Sequence, residues 1–594
     1  MKNLFLTVKN LIFLFKTQMK ESPKSVFYEL VYGFFTSFRP FAAILFPKFI
    51  LDAILYQKAP SVVLLTIAIF SLLEFIFSYI CSFIVEVQSV HNEKVPHVLL
   101  LLLAQKAAKI DYSDMEQNEL IVKYQQAQNT TFGLAGITMG MFNCFISSFF
   151  KIVMLVYIMS SLNWGIVLVL LSIVVINLVI DHFADKKKFD YQMQENKGNI
   201  ELSFISLCCS APQLAKDLRI YDGTEFFEKK YNRATHRQEQ IISKRNSFGF
   251  GIECMQQLVS MVQSGLVYAF VVFSYMLGKI SISSFSMYVG ATVEFYGTIS
   301  SLLNVVNSLN QTNMFMEQYA KFLDYPENMN RTGGLDVNTK ERLEIEWRDV
   351  SFRYPGQEAY ALHHVNIKFD IQDTIGIVGE NGAGKSTFVM LLLRLYDVTS
   401  GEILLNGINI KEYNYRQYLS LFSAMFQDYN LFSYSIKENI GFDEADDRLE
   451  DVERVIDEVV LRDKVRSLSL GLDTYINRNF HNGTALSGGE MQRIALARAF
   501  FKKGDVMILD EPNAAIDPLT EQAIFKSIEE KAASKLIMHI SHRLSSTKNC
   551  SKIFVFDKGN IVEVGSHNEL MDKEGIYRKM FDTQAEYYRQ VEAI

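Results

Sequence analysis

Six apolar runs in the N-terminal half constrain this chain more than any other feature, because each is about as long as the ~20 residues a helix needs to cross a bilayer. They extend from Leu30 to Leu55, Ser61 to Val87, Gly136 to Leu162, Trp164 to Ala184, Met255 to Leu277 and Ser281 to Asn307. No charge lies between Lys151 and Asp181, and only Ser160, Ser161, Leu162 and Asn163 are free for a turn. The third and fourth runs are therefore expected to form a tight helical hairpin. After Asp324 the pattern changes to alternating charge and short apolar stretches, as in soluble α/β domains. With 594 residues the chain needs at least two cores, and its 49% hydrophobic and 21% charged composition averages two unlike halves.

Loop lengths alternate along the apolar half. The links near Gln57, Leu162 and Lys279 are short, whereas those from Glu86 to Ala135 and Asp185 to Gly249 are long and polar. Lysine and arginine concentrate in the second long link, from Lys186, Lys187 and Lys188 to Lys244 and Arg245, while the short links hold only Lys58 and Lys279. The positive-inside rule places the long links, both termini and the C-terminal domain in the cytoplasm of a multi-pass protein of the cell membrane. At their tips, Asp111 to Tyr124 and Lys216 to Tyr231 read as short amphipathic elements suited to docking on a soluble domain. Ahead of the spans, residues 1–25 carry Lys2, Lys9, Lys16, Lys20 and Lys24 around an apolar stripe without a cleavage signal, the pattern of a helix lying on the bilayer surface.

Four ionisable residues fall near mid-span: Arg39, Glu74, Lys151 and Glu294. At that depth they either pair with one another to fix helix packing or face a polar cargo. Pro40 and Pro47 mark the first span as a site of kinking. The six cysteines have no metal-ligand spacing and read as small hydrophobes. A net charge of −7 excludes a global basic field, and with it nucleic acid as a partner.

The stretch at 324–342 has the Pro, Asn and Gly content of a linker, and a new domain is expected over 343–594. In it, the buried-strand pattern Asp373 to Val378 runs into Gly379, Glu380, Asn381, Gly382, Ala383, Gly384, Lys385, Ser386 and Thr387. This is the phosphate-cradling loop in its strand, loop, helix context. Its glycines let backbone N–H groups approach the phosphates of ATP, Lys385 reaches the β and γ oxygens, and Ser386 binds Mg²⁺. A second buried strand, Val506 to Leu509, ends in Asp510 and Glu511. Asp510 is expected to hold the Mg²⁺ shell and Glu511 to polarise the attacking water. Between them, Leu486, Ser487, Gly488, Gly489 and Glu490 precede a helix, with Ser487 as cap and the glycines exposing N–H groups to an anion. One domain has no use for two anion sites unless the second faces the ATP of another subunit, so a dimer with nucleotide between copies is expected.

These motifs together resemble an ATP-binding cassette exporter half-transporter, and the resemblance covers nearly the whole chain. It implies an α-helical six-span transmembrane domain of the type IV exporter kind, residues 26–323, fused to an α/β P-loop nucleotide-binding domain. It further implies that Tyr354 in FRYPG stacks on adenine, and that Gln427 in MFQDYNLF links Mg²⁺ and water to the membrane domain. Asp517 in NAAIDP matches the D-loop, and His542 in ISHR the switch histidine at the γ-phosphate. The signature carries Glu490 where Gln is commoner, a change expected to be silent because it lies beyond the glycines, and the D-loop reads AAID. The segment FHNGTALSGGE lacks the GERG of many drug exporters and looks closer to the lantibiotic and peptide exporters of Gram-positive bacteria. An exported peptide or amphipathic cargo is therefore expected, cut by some other protein if cut at all, with a homodimer as the working form and a heterodimer as the alternative. A lipid flippase, a multidrug exporter or an ATP-operated regulatory protein without cargo would carry the same nucleotide motifs.

Overall fold

The computed structural model describes residues 2–592 except 211–213, 330, 332, 338–342, 371–372, 478–481, 513–515 and 533–534. The chain forms two compact units, one of residues 1–108 and 122–325, the other of residues 109–121 and 326–594.

The first unit is helical. It begins with α1 (Lys2–Glu21), α2 (Pro23–Leu55), α3 (Pro60–Asn92) and α4 (Lys94–Ala107). After the short α5 (Tyr112–Met115), which belongs to the second unit, it continues with α6 (Asn118–Ser160), α7 (Trp164–Ser210), α8 (Ala215–Ile220), α9 (Thr224–Met276) and α10 (Ile282–Leu323). The hairpin between α6 and α7 is as tight as expected: three residues connect the helices, and Asn163 Oδ1 accepts from Gly165 N at 2.6 Å. Helices α2, α3, α6, α7, α9 and α10 run 33 to 53 residues, well past the length of a bilayer span. Among the described residues, four helical stretches combine that length with sufficient apolarity to cross a membrane: Pro60–Ala107, Gly140–Ser160, Trp164–Ser210 and Thr224–Met276.

Apolar side chains here face outward as well as inward, as lipid demands. Helix α3 exposes Leu64, Leu65, Leu72, Phe75 and Phe83. Ile44, Leu155, Met159, Val167, Val271 and Phe295 form an interior seam drawn from α2, α6, α7, α9 and α10. Helix α2 remains helical through Pro40 and Pro47, and at Gly33 a Cβ would sit 3.0 Å from Ile146, so this glycine permits close approach of α2 and α6. The mid-span charges pair with one another. Arg39 Nε meets Glu74 Oε1 at 2.5 Å between α2 and α3, and Lys151 Nζ meets Glu294 Oε1 at 3.1 Å between α6 and α10. Of the two roles open to these residues, the structure supports helix-to-helix pairing.

The second unit contains two sheets. Strands β1 (Glu344–Phe352), β2 (Leu362–Asp370), β4 (Ser400–Leu405) and β5 (Ile408–Asn409) form an antiparallel sheet, ordered β2-β1-β4-β5. Strands β3 (Thr374–Gly379), β6 (Phe422–Met425), β7 (Val506–Asp510), β8 (Leu536–Ile540), β9 (Lys552–Asp557) and β10 (Asn560–Gly565) form the other, ordered β10-β9-β3-β8-β7-β6. All its pairs are parallel except β10 with β9. Every residue of β7 and β8 is buried, as a central parallel strand requires. Helix α11 (Lys385–Leu392) joins the two sheets through Phe388, which stacks on Trp347 at 4.1 Å between ring centroids. Helices α12 (Tyr415–Ser420), α13 (Ile436–Gly441), α14 (Leu449–Glu458) and α15 (Arg462–Ser467) precede α16 (Gly488–Phe501). Residues of α13, α14 and α16, among them Ile440, Val452, Ile456, Leu496 and Phe500, close a separate helical core. Helices α17 (Pro518–Ala532), α18 (His567–Asp572) and α19 (Ile576–Glu592) complete the unit.

The segment read as a linker is tied down at its start. Asp111, fully buried beside α5, accepts from the backbone of Asn328 and Met329 at 2.8 Å each and pairs with Arg331 at 2.8 Å. Asn330, Thr332 and 338–342 of that segment lie outside the described residues.

Either Lys151→Met or Glu294→Gln strands a partly buried charge and is expected to cost roughly 1–3 kcal/mol. The double substitution should cost less than the two losses combined. Thermal melting of the four purified proteins checks this; strictly additive losses would show that the pair is not coupled.

Candidate functional site

Four neighbouring strands, β3, β8, β7 and β6, run parallel, so their carboxyl ends open on one edge of the sheet. That edge is where doubly wound sheets bind ligands. The phosphate-cradling loop follows β3, His542 follows β8, Asp510 ends β7 with Glu511 next to it, and Gln427 follows β6.

The loop's geometry depends on two glycines. Gly379 has φ 152°, and a Cβ there would lie 2.3 Å from Phe556 O; Gly384, the cap of α11, has φ 105° and would clash with Leu362 and Ala361. Lys385 turns back so that its Nζ donates to Gly379 O at 2.8 Å and Glu380 O at 2.9 Å. Burial pushes the Lys385 ammonium below the usual lysine range, opposed by Asp510 and Glu511. Among the described residues no carboxylate forms an ion pair with it. A cation resting on carbonyls at a helix N-terminus fits the phosphates of ATP. Asn381, Gly382 and Ser386 are exposed around it, whereas Ala383 and Thr387 are buried.

Glu511 is the centre of the site. His542 Nε2 lies 3.0 Å from its Oε1, and Gln427 Nε2 donates to its Oε2 at 3.0 Å. Burial, reinforced by Lys385 and opposed by Glu511, holds His542 below the usual imidazole range. Glu511 adopts φ 48°, a left-handed conformation costing a non-glycine residue roughly 1–3 kcal/mol. Two bonds hold it there: its N–H donates to Ile540 O at 3.0 Å, and its carbonyl accepts from Gln492 Nε2 at 3.0 Å. Burial, then the Glu511 charge, pushes the Asp510 carboxyl up to about 6 against the ordinary 3.8. Such a carboxylate is short of positive charge and, with the exposed Ser386 hydroxyl, fits a divalent cation such as Mg²⁺.

Tyr354 is half-buried; its hydroxyl meets Thr387 Oγ1 at 2.9 Å and its ring packs edge-on against Phe352 and Tyr396. Asp517 is exposed and accepts from Thr520 N at 3.0 Å, capping α17. Ser487 and Gly488 are exposed at the start of α16, and Gly489 is half-buried. Among the described residues no hydrogen bond or ion pair joins Ser487, Gly488, Gly489 or Asp517 to Lys385, Asp510 or Glu511. Phe480 and His481 before the signature, and Asn513, Ala514 and Ala515 of the D-loop, lie outside the described residues.

Glu490 is the third residue of α16. It completes a capping box with Ser487, accepting from Ser487 N at 2.7 Å while Ser487 Oγ accepts from Glu490 N, and it pairs with Lys464 at 3.0 Å. Burial raises its carboxyl, but the bonds from Ser487 and the charge of Lys464 outweigh that and hold it below the usual range. Gln492, missed as a functional residue, ties α16 to Glu511. Its signal was a polar side chain on the same helical face as Ala495 and Ala499, which are buried.

Residues 362–514 match the ABC transporter family model. The chain is 28% identical to the subtilin transport ATP-binding protein SpaT of Bacillus subtilis, over 98% of this chain and 96% of that one. It is 24% identical to the nisin transport ATP-binding protein NisT of Lactococcus lactis subsp. lactis, over 98% and 97%. The ATP-dependent lipid A-core flippase of Escherichia coli (strain K12) is 28% identical over 73% and 74%. In fold, the chain resembles a bacterial Atm1-family ABC exporter solved with ATP bound, with a TM-score of 0.79, 20% identity and coverage of 96% and 98%. Likeness through both halves at once, and not through the nucleotide domain alone, identifies this multi-pass membrane protein as an ATP-binding cassette exporter, which couples ATP hydrolysis to transport.

Proposed function

We propose that two copies of this chain form the working transporter and that its cargo is a peptide. The observation that carries the peptide reading is likeness along the whole length to proteins named for subtilin and nisin transport. The lipid A-core flippases match over about three quarters of the chain and favour a second reading, a lipid cargo. Two features support the homodimer. A single chain carries both the phosphate loop and an intact signature, and the tip around α8 exposes Ile220, Tyr221 and Phe226, 58 to 79% accessible, as a surface for another domain to cover. The lysine-rich long links support cytoplasmic termini and a cytoplasmic nucleotide domain.

In this mechanism Lys385 and the loop amides bind the β and γ phosphates, and Tyr354 stacks on adenine. Ser386 and Asp510 would hold Mg²⁺, which supplies neutralisation of phosphate charge, with Gln427 beside them. Glu511 accepts a proton from the attacking water while Gln427 and His542 fix the direction of its carboxylate. Ser487, Gly488 and Gly489 of one copy close over the ATP of the other, with Asp517 near the seam. Closure draws the tips together and opens the cavity outward; hydrolysis resets it. ATP-dependent uptake of a labelled lysine-containing amphipathic peptide into inside-out proteoliposomes tests the cargo. Movement of a fluorescent phospholipid without the peptide would favour the lipid reading, and hydrolysis that moves neither would point to a regulatory role.

Glu511→Gln is expected to keep ATP binding and lower steady-state ATPase by at least about a hundredfold, since the amide keeps the shape and loses the base. Activity within about twofold of the parent would reject the role given to Glu511.

Asp510 yields a stability test with a definite sign. Its folded carboxyl holds the proton up to about 6 against 3.8 when unfolded. The stability linked to it is full below the unfolded value and is lost as pH rises through about 6. Asp510→Asn, fixed in a neutral form, should therefore raise the melting temperature of the ATP-free protein at pH 7.5, by roughly 1–3 kcal/mol of stability, while ATPase is lost. A gain confined to low pH would contradict this.

Assembly is tested by pairing Ser487→Cys with Asn381→Cys in one chain. ATP should promote an intermolecular cross-link when no other subunit is present. Strict need for a different chain would reject the homodimer.

A further inference from the structure

A polar groove of 460 Å³ opens between α2, α3 and α6, lined by Glu29, Gln88, Asn92, Gly140, Asn143 and Ser147, among others. It lies where α2 begins and α3 ends, at the end of the spans from which the long links emerge. Glu29 is 4% exposed, and its hydrogen-bond partners there are neutral amides: Gln88 Nε2 donates to Oε2, and the Asn143 side chain is bonded to the same carboxylate. Among the described residues no cation pairs with Glu29. The other acids of α3 and α10 brought into question by the sequence are already matched, Glu74 by Arg39 and Glu294 by Lys151. A carboxylate withdrawn from water without a counter-charge attracts a cation far more strongly than an exposed one. Around it the amide oxygens of Asn92 and Asn143 add acceptors but no charge, a set that suits the three donors of an ammonium group. Asn92 Oδ1 already accepts from Ser25 Oγ at 2.6 Å, which fixes its orientation. At Gly140 a Cβ would meet nothing within 4 Å, so the groove has room there for the stem that carries the amine.

We propose that this groove is a cargo subsite for a protonated primary amine, with Glu29 as its counter-ion. It rests on the reading of the chain as an exporter of peptides and deepens that reading to lysine-bearing or free-amino cargo. Full-length protein in nanodiscs is titrated with a fluorescent amphipathic dodecapeptide carrying lysines, and with the same peptide after acetylation of every amine. The parent should bind the amine form at least tenfold more tightly. Glu29→Gln should bring the two forms within about twofold of each other without weakening the acetylated peptide. Gly140→Leu, which fills the groove with a better helix former, should weaken the amine form at least fivefold. Equal binding of both peptides by the parent would overturn the proposal, as it would if a cation of a second copy occupied the groove. Selectivity retained in Glu29→Gln, an unaffected Gly140→Leu, or a Glu29→Gln protein that loses both peptides together with its melting temperature would also overturn it. Uptake into proteoliposomes separates the two readings. Charge-selective binding without uptake rejects peptide export and leaves the amine site, whereas uptake without charge selectivity rejects the site and leaves the exporter.

Discussion

The parallel register of β3, β8, β7 and β6 is the constraint on which the chemistry of this protein depends. It aligns Asp510 with Ile540, so the residue after β7 donates its N–H to the carbonyl at the end of β8 and Glu511 is held in a left-handed conformation. The side chain so presented lies between a glutamine from one flanking strand and a histidine from the other. A slip of one residue in either pairing would turn alternate side chains to the opposite face and scatter the three groups. Gln492 adds a brace from α16, so the helix that begins with the signature is joined to the backbone of Glu511 in its own chain.

Charge is handled differently in the two units. In the nucleotide domain, charge without an ion-pair partner among the described residues stands at the loop after β3 and at the end of β7: Lys385, and Asp510 with its carboxyl pushed up to about 6. In the membrane unit, the mid-span charges are matched across helices, α2 to α3 and α6 to α10, which converts residues that are costly in lipid into determinants of packing. Glu29 is the departure from that rule, and its partners are amides from two other helices.

Local motifs were readable in the sequence because their chemistry is local. The phosphate loop needs consecutive residues, the carboxylates follow a strand, and each span is a contiguous apolar run. The hairpin at Asn163 followed from there being no spare residues for anything longer. What the sequence did not reveal depends on contacts between distant segments. The partners of Arg39 and Lys151 lie one or several helices away, so pairing and cargo contact could not be separated by periodicity. Glu29 lies one residue before the first apolar run, and only its bonds to Gln88 of α3 and Asn143 of α6 set it apart. The stretch after Asp324 looked like a free linker from its composition, but Asp111, more than two hundred positions earlier, binds its backbone. The place of Glu490 in its motif does not show that it also caps a helix and pairs with Lys464.

The two tips of the long links are treated unequally, and that inequality bears on assembly. Helix α5 is incorporated in the second unit. Tyr112 packs on Tyr396 with ring centroids 5.7 Å apart, and the Tyr396 hydroxyl donates to Glu116. Tyr396 in turn packs against Tyr354, whose hydroxyl meets Thr387 of the phosphate loop. An unbroken series of contacts thus runs from the nucleotide loop to a segment that the chain connects, on either side, to α4 and α6. Helix α8 has no buried residue, and Tyr221 beside it is 79% exposed. Under the proposed dimer, the aromatic surface at α8 is one that a domain of the second copy would cover. The same proposal gives a role to Ser487 and Gly488, which are exposed at the start of α16. In the proposed dimer the exposed tip and the exposed signature share one cause: each would be half of an interface between two copies.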